Sequence, residues 1–273
     1  MINFHVLLGG VPRVNRPEPG DRPPRDERPG PRAERYGAAP RARGAAVLVS
    51  VGGMTPKSDY LSPALQEYLI AHSAPADAVL ADLAAETAEL GRIAGMQIAP
   101  EQGAFMGVLT RLVAPQFAVE VGTFTGYSAL CVARALPAGG RLLCCDVNEE
   151  WTAMARRHWE RAGVADRIDL VLAPAAETLR ALPSEPCIDL AFIDADKGGY
   201  ITYWEEIVAR LRPRGVVLVD NVLWAGRVVD ATNTEEDTVA IRAFNDHVLA
   251  DKRVEVVMLP VADGLTMAIR LPD

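Results

Sequence analysis

The chain has 273 residues, is 49% hydrophobic, and carries a net charge of −8. It is long enough to bury a sizeable core as one domain, and no apolar run approaches bilayer-spanning length. Nine arginines and five acids in residues 1–53 leave that segment at +4, so the remainder carries −12, which argues against nucleic acid as a partner of the folded part.

Val6–Leu8 is too short an apolar core for a secretory leader, and Pro and Arg follow at once. Residues 9–44 are rich in Pro, Gly and Arg without apolar periodicity, which predicts a disordered tail over 1–53. Met54 is an alternative start, so 54–273 is the expected domain. The cysteines Cys131, Cys144, Cys145 and Cys187 show no CxxC or Cys/His spacing, which points away from zinc and toward reduced thiols in a cytoplasmic protein.

From Ser62 three segments have helical spacing: "PALQEYLIAHS", "DAVLADLAAETAELGRI" and "EQGAFMGVLTRLV". Short β-branched strands follow at Phe117–Val121, Arg141–Cys145, Ile168–Leu172, Ile188–Ile193 and Gly215–Val219, with helices starting near Gly126, Glu149, Pro174 and Gly199. Such alternation predicts a parallel sheet covered on both faces. After a helix over Glu235–Ala250, "RVEVVMLP" and "GLTMAIRL" are joined by Val261–Asp263 and should form an antiparallel hairpin. His5 is in the tail, and His72, His158 and His247 sit on helices without a motif.

"FAVEVGTFTGYSAL" reads as strand, glycine turn and helix at the first βα crossing, where free N–H groups meet a ligand. The spacing is Gly122-x-x-x-Gly126, one glycine short of the dinucleotide fingerprint, and Glu120 precedes it. A carboxylate there would repel a pyrophosphate, so the loop suits a ligand without phosphates. Asp146 ends the second strand, where an acid can take both hydroxyls of a ribose. The plainer alternative is a turn glycine pair and a helix-capping Asp.

"VEVGTFTGYSAL", "CCDVNEE", "FIDADKGGY" and "VLVDNVLWAG" together resemble the cation-dependent O-methyltransferases that use S-adenosylmethionine, of the caffeoyl-coenzyme A and, more distantly, catechol type. The resemblance runs from about Met54 to the end. It implies an α/β, Rossmann-like class I methyltransferase fold: a seven-stranded, mostly parallel sheet with a C-terminal antiparallel hairpin. It further implies a small phenol as acceptor, and a homodimer is expected; charge and the lack of a long apolar run point away from nucleic acid and membrane as partners.

The strand ends delivering Asp194, and Asp220 with Asn221, should be neighbours, giving an incomplete all-oxygen shell suited to magnesium, manganese or calcium. By resemblance these three are the metal ligands and Lys197 is the catalytic base; solvated turns and a lysine at the site rim are the alternatives. The resemblance assigns Met96, Gln97, Gly122, Thr123 and Ser128 to the methionine end of the cofactor, and Ala175 to the adenine. It gives Asp196 a cofactor contact near the metal, and has Glu120 help hold the cofactor. The family carries small hydroxyl residues where this chain has Gln97 and Ile98. Lys57, Asp194 and Trp224 are the implied acceptor contacts, with plain packing an equal reading for Trp224. The implied reaction is methyl transfer to a metal-bound, catechol-type hydroxyl. Two rivals are an NAD-dependent oxidoreductase, opposed by the missing glycine, and a non-catalytic nucleoside-binding protein, opposed by the complete acidic and lysine set.

Overall fold

Helices begin where their first free N–H groups find an acceptor. In α1 (Pro63–Ala71) the Ser62 hydroxyl takes the Leu65 N–H, and in α2 (Ala78–Ala88) the Asp77 carboxylate takes those of Val79 and Leu80. The computed structural model describes residues 61–272, so the tail 1–53, Met54 and Lys57 lie outside the described residues. The second helical segment is shorter than its sequence suggests. It leaves α geometry at Ala88, and a 3-10 turn runs from Gly91 to Met96, because Gly91 is left-handed at φ +71°.

Beyond α3 (Pro100–Val113), strands and helices alternate: β1 (Phe117–Val121), α4 (Tyr127–Ala135), β2 (Arg141–Asp146), α5 (Glu149–Arg161), β3 (Ile168–Leu172) and α6 (Ala175–Arg180). Then come β4 (Ile188–Ile193), α7 (Tyr200–Val208), β5 (Leu211–Val219), α8 (Glu236–Ala250), β6 (Val254–Leu259) and β7 (Leu265–Arg270). The strand expected from Gly215 starts at Leu211 instead. "RPRG" reads as a turn in sequence, but the chain stays extended through a bulge. Ile188 pairs with Leu211 while Leu190 pairs with Val216, and Arg214 takes up the offset at φ 68°.

The seven strands lie in the order β3-β2-β1-β4-β5-β7-β6. β1 to β5 are mutually parallel, and β7 runs antiparallel between β5 and β6. One face packs Leu83, Met106, Leu130 and Trp159 from α2 to α5 onto Ala118, Leu142 and Phe192. The other packs Leu179, Trp204, Ile207 and Phe244 from α6 to α8 onto Val119, Ile193 and Val217. Both faces are thus apolar, as parallel strands require. The order reverses between β1 and β4, and a ligand crevice opens beyond the carboxyl ends of strands at such a point. Among the described residues no helix is long and apolar enough to cross a membrane.

Candidate active site

A cleft of about 840 Å³ opens there, within the range of small-molecule sites. Its cofactor-side wall is the loop after β1. Gly122 is held at φ +86°, and a Cβ on it would lie 2.0 Å from the Asp194 carbonyl oxygen, so only glycine lets the loop pass so close to the end of β4. The loop is braced by Asp146: Oδ2 accepts the N–H groups of Thr123 and Phe124 (2.9 and 2.8 Å), and Oδ1 those of Val147 and Asn148 (2.7 and 2.8 Å). Asp146 lines the cleft as expected, but its carboxylate first serves the loop, and ribose hydroxyls would share oxygens already engaged by backbone.

Met96, Gln97, Gly122, Thr123 and Ser128 line the cleft, as do Ala175 and Asp196. Asp196 is fixed by the Tyr203 hydroxyl, which donates to Oδ1 at 2.6 Å. Gln97 Oε1, Thr123 Oγ1 and Trp224 Nε1 are buried without a hydrogen-bond partner. Buried polar atoms are normally satisfied, so three in one cleft suit a polar ligand.

Glu120 stands apart from that wall. Strand alternation turns it onto the face shared with Ala118, where it is 1% exposed and outside the cleft lining. Burial drives its pKa up to about 8, Asp194 and Asp146 add to the rise, and the Ser128 hydroxyl opposes it. Glu120 is therefore mainly protonated at neutral pH, which differs from the fixed negative charge read from the sequence.

The opposite wall is built from the ends of β4 and β5. Lys197, 7% exposed, is the one cation among the described cleft-lining residues. Its Nζ donates to Tyr200 Oη at 2.6 Å, Asn221 Oδ1 at 2.8 Å and Asp194 Oδ1 at 3.4 Å. Tyr200 in turn donates to the Asp220 carbonyl at 3.1 Å. Burial, and then the Asp194 and Asp220 charges, hold the Tyr200 phenol well above its ordinary pKa, so it serves as a neutral relay. Asp220 is fully buried behind the cleft and does not line it, whereas Asn221 lines it from a left-handed backbone at φ 57°. Trp224 lines the same wall at φ 48°, its ring centroid 5.3 Å from Lys197 Nζ. Non-glycine residues at positive φ cost free energy and concentrate at functional sites.

Asp194, Asp220 and Asn221 offer two carboxylates and an amide oxygen. This hard donor set fits a divalent cation, and an ammonium already sits between Asp194 and Asn221. No cluster of three or more His, Cys, Asp or Glu suited to a metal occurs among the described residues. His158 and His247 pair with Glu86 and Glu205, both at 2.7 Å, away from the cleft. Sequence reasoning missed Tyr200, Tyr203 and Gln102, whose Nε2 donates to Asp220 Oδ2 at 2.9 Å. Tyr200 lay three residues beyond Lys197, a spacing that could have flagged it.

The O-methyltransferase family model matches residues 70–271. A probable caffeoyl-CoA O-methyltransferase of Dictyostelium discoideum is 43% identical over 175 residues, covering 63% of this chain and 76% of the relative. A mouse catechol O-methyltransferase domain-containing protein is 39% identical over 174 residues, covering 63% of this chain and 66% of the relative. The crystal structure of an O-methyltransferase from Bacillus cereus in complex with SAH superposes with a TM-score of 0.70 at 30% identity, covering 76% of this chain and 97% of that one. With the fold and the cofactor loop in agreement, the chain belongs to the O-methyltransferase family and is an S-adenosylmethionine-dependent O-methyltransferase.

Proposed function

We propose that the protein transfers the methyl group of S-adenosylmethionine to one hydroxyl of a small catechol-type phenol, aided by a divalent cation held by Asp194, Asp220 and Asn221. The observation that carries this is the pinning of Lys197 Nζ between Asn221, Asp194 and Tyr200, on the cleft wall facing the glycine loop. The names of the caffeoyl-CoA and catechol relatives support the acceptor class. When bound, the cation supplies Lewis acidity that makes a phenolic hydroxyl more acidic and orients it.

Lys197 is the residue placed to take the phenolic proton as general base. The phenolic oxygen then forms the new C–O bond as the bond from sulfur to the methyl breaks, in line, and the sulfonium becomes a thioether. Tyr203 keeps Asp196 in place, Trp224 walls the acceptor side, and the braced loop fixes the methyl donor. Catalysis on this reading is chiefly alignment and charge placement.

The test compares kcat/KM for a vicinal dihydroxy aromatic and its matched monophenol, with and without chelator, using labelled S-adenosylmethionine. The expected result is an advantage of about tenfold or more for the catechol, equivalent to about 1.4 kcal/mol. EDTA should abolish it and magnesium or manganese restore it. Full activity after exhaustive chelation, or equal values for the two acceptors, removes the cation from the reaction.

A further inference from the structure

We propose that Gln102, on the first turn of α3, is a positioning residue for the Asp220 carboxylate, holding it ready for a divalent cation. The inference rests on the cation reading above. Gln102 and Asp220 are both 0% exposed. Gln102 Nε2 donates to Oδ2 at 2.9 Å, and the Asn221 backbone N–H donates to Oδ1 at 2.7 Å. These two donors, on different oxygens, orient the carboxylate plane, because a rotation that keeps one bond breaks the other. Ligand oxygens are routinely oriented in this way by groups that do not touch the metal.

Two observations indicate that the amide is there for the carboxylate and not as filler. Its Oε1 is buried with no hydrogen-bond partner, so the side chain forgoes one interaction while making the other. Neither Gln102 nor Asp220 lines the cleft, so the amide meets the carboxylate and not cofactor or acceptor. The residue type fits the task. A lysine or arginine would pair with Asp220 and cancel the charge a cation needs, and a glutamate would repel it. An amide donates an N–H and adds no formal charge of its own beside Asp220.

Gln102→Met tests this, because it keeps the approximate volume and removes the donor. The measurements on the full chain are the Kd for Mn²⁺, from free manganese by electron paramagnetic resonance, the Kd for S-adenosylhomocysteine, and Tm in chelator. A rise of about tenfold or more in the Mn²⁺ Kd is expected. The S-adenosylhomocysteine Kd and the Tm in chelator should be unchanged. An unchanged Mn²⁺ Kd overturns the proposal. Parallel weakening of both ligands with a lowered Tm also overturns it, since Gln102 would then merely seat α3. Absence of Mn²⁺ binding in the wild-type protein would remove the cation reading itself, and would be seen before any variant is made.

Discussion

The two walls of the cleft are built by opposite means. The glycine-loop wall is backbone held by one carboxylate: Asp146 gathers four N–H groups, and Gly122 lets the chain turn where a side chain would collide. The β4/β5 wall presents side chains, Lys197 and Asn221, backed by buried Tyr200, Asp220 and Gln102 through hydrogen bonds of 2.6 to 3.1 Å. A cofactor that presents the same shape every time can be met by rigid main chain. A reaction in which charge moves calls for groups that give and take protons. Changes on one wall should therefore leave the other working.

The largest effect belongs to Lys197→Met. It should lower kcat by about 10²–10⁴, or about 3–5 kcal/mol in the barrier, while calorimetry finds S-adenosylhomocysteine binding within about twofold of wild type. An equal loss of both would show that the walls are not independent. Gly122→Ala comes next, because its Cβ would lie 2.0 Å from Asp194 backbone at a φ of +86°. Thermal or urea unfolding should report a loss of about 2–4 kcal/mol, with both walls disturbed at their point of contact. Asp146→Asn sets an amide NH₂ against a pair of backbone donors. The Kd for S-adenosylhomocysteine should rise about tenfold, about 1.4 kcal/mol, with the Mn²⁺ Kd unchanged.

The smallest effect, below about pH 5, is that of Glu120→Gln, which imitates the protonated side chain. Glu120 titrates near 8 when folded, against about 4.3 in an unfolded chain. Between those values the folded protein holds a proton that the unfolded chain has lost, so stability falls as pH rises through that window and levels off above 8. The glutamine variant lacks this fall. Its Tm relative to wild type should therefore climb from pH 5 to pH 8, and a flat difference would mean that Glu120 is ionised in its pocket.

The strands were readable because β-branched runs stand between glycine and polar punctuation, and β1, β3 and β4 begin and end where the sequence places them. Asp194, Lys197, Asp220 and Asn221 were readable for a related reason: a parallel sheet collects the ends of its strands on one edge. Gln102 was not. It comes from a helix that precedes the sheet, 118 residues from the carboxylate it serves, and nothing in the periodicity of α3 separates it from an ordinary polar position. Glu120 was placed in the correct segment with the wrong exposure. Alternation with Val119 and Val121 would have turned it away from their face, but its charge was the louder signal. The start of β5 was hidden because Pro-Arg-Gly marks a turn in most sequences and here marks a bulge.

The placement of β7 between β5 and β6 has a consequence for biosynthesis. β5 carries Asp220 and Asn221 at its end, yet its second neighbour is the last of the seven strands in chain order. Until Leu265–Arg270 has emerged, Val216 to Val219 form an open edge of an apolar sheet, and β6 has no strand beside it with which to pair. Such edges recruit other chains. A nascent or truncated polypeptide lacking β7 would thus hold nearly all of its catalytic groups and still be prone to aggregation, so the sheet is completed and its edge protected in one step.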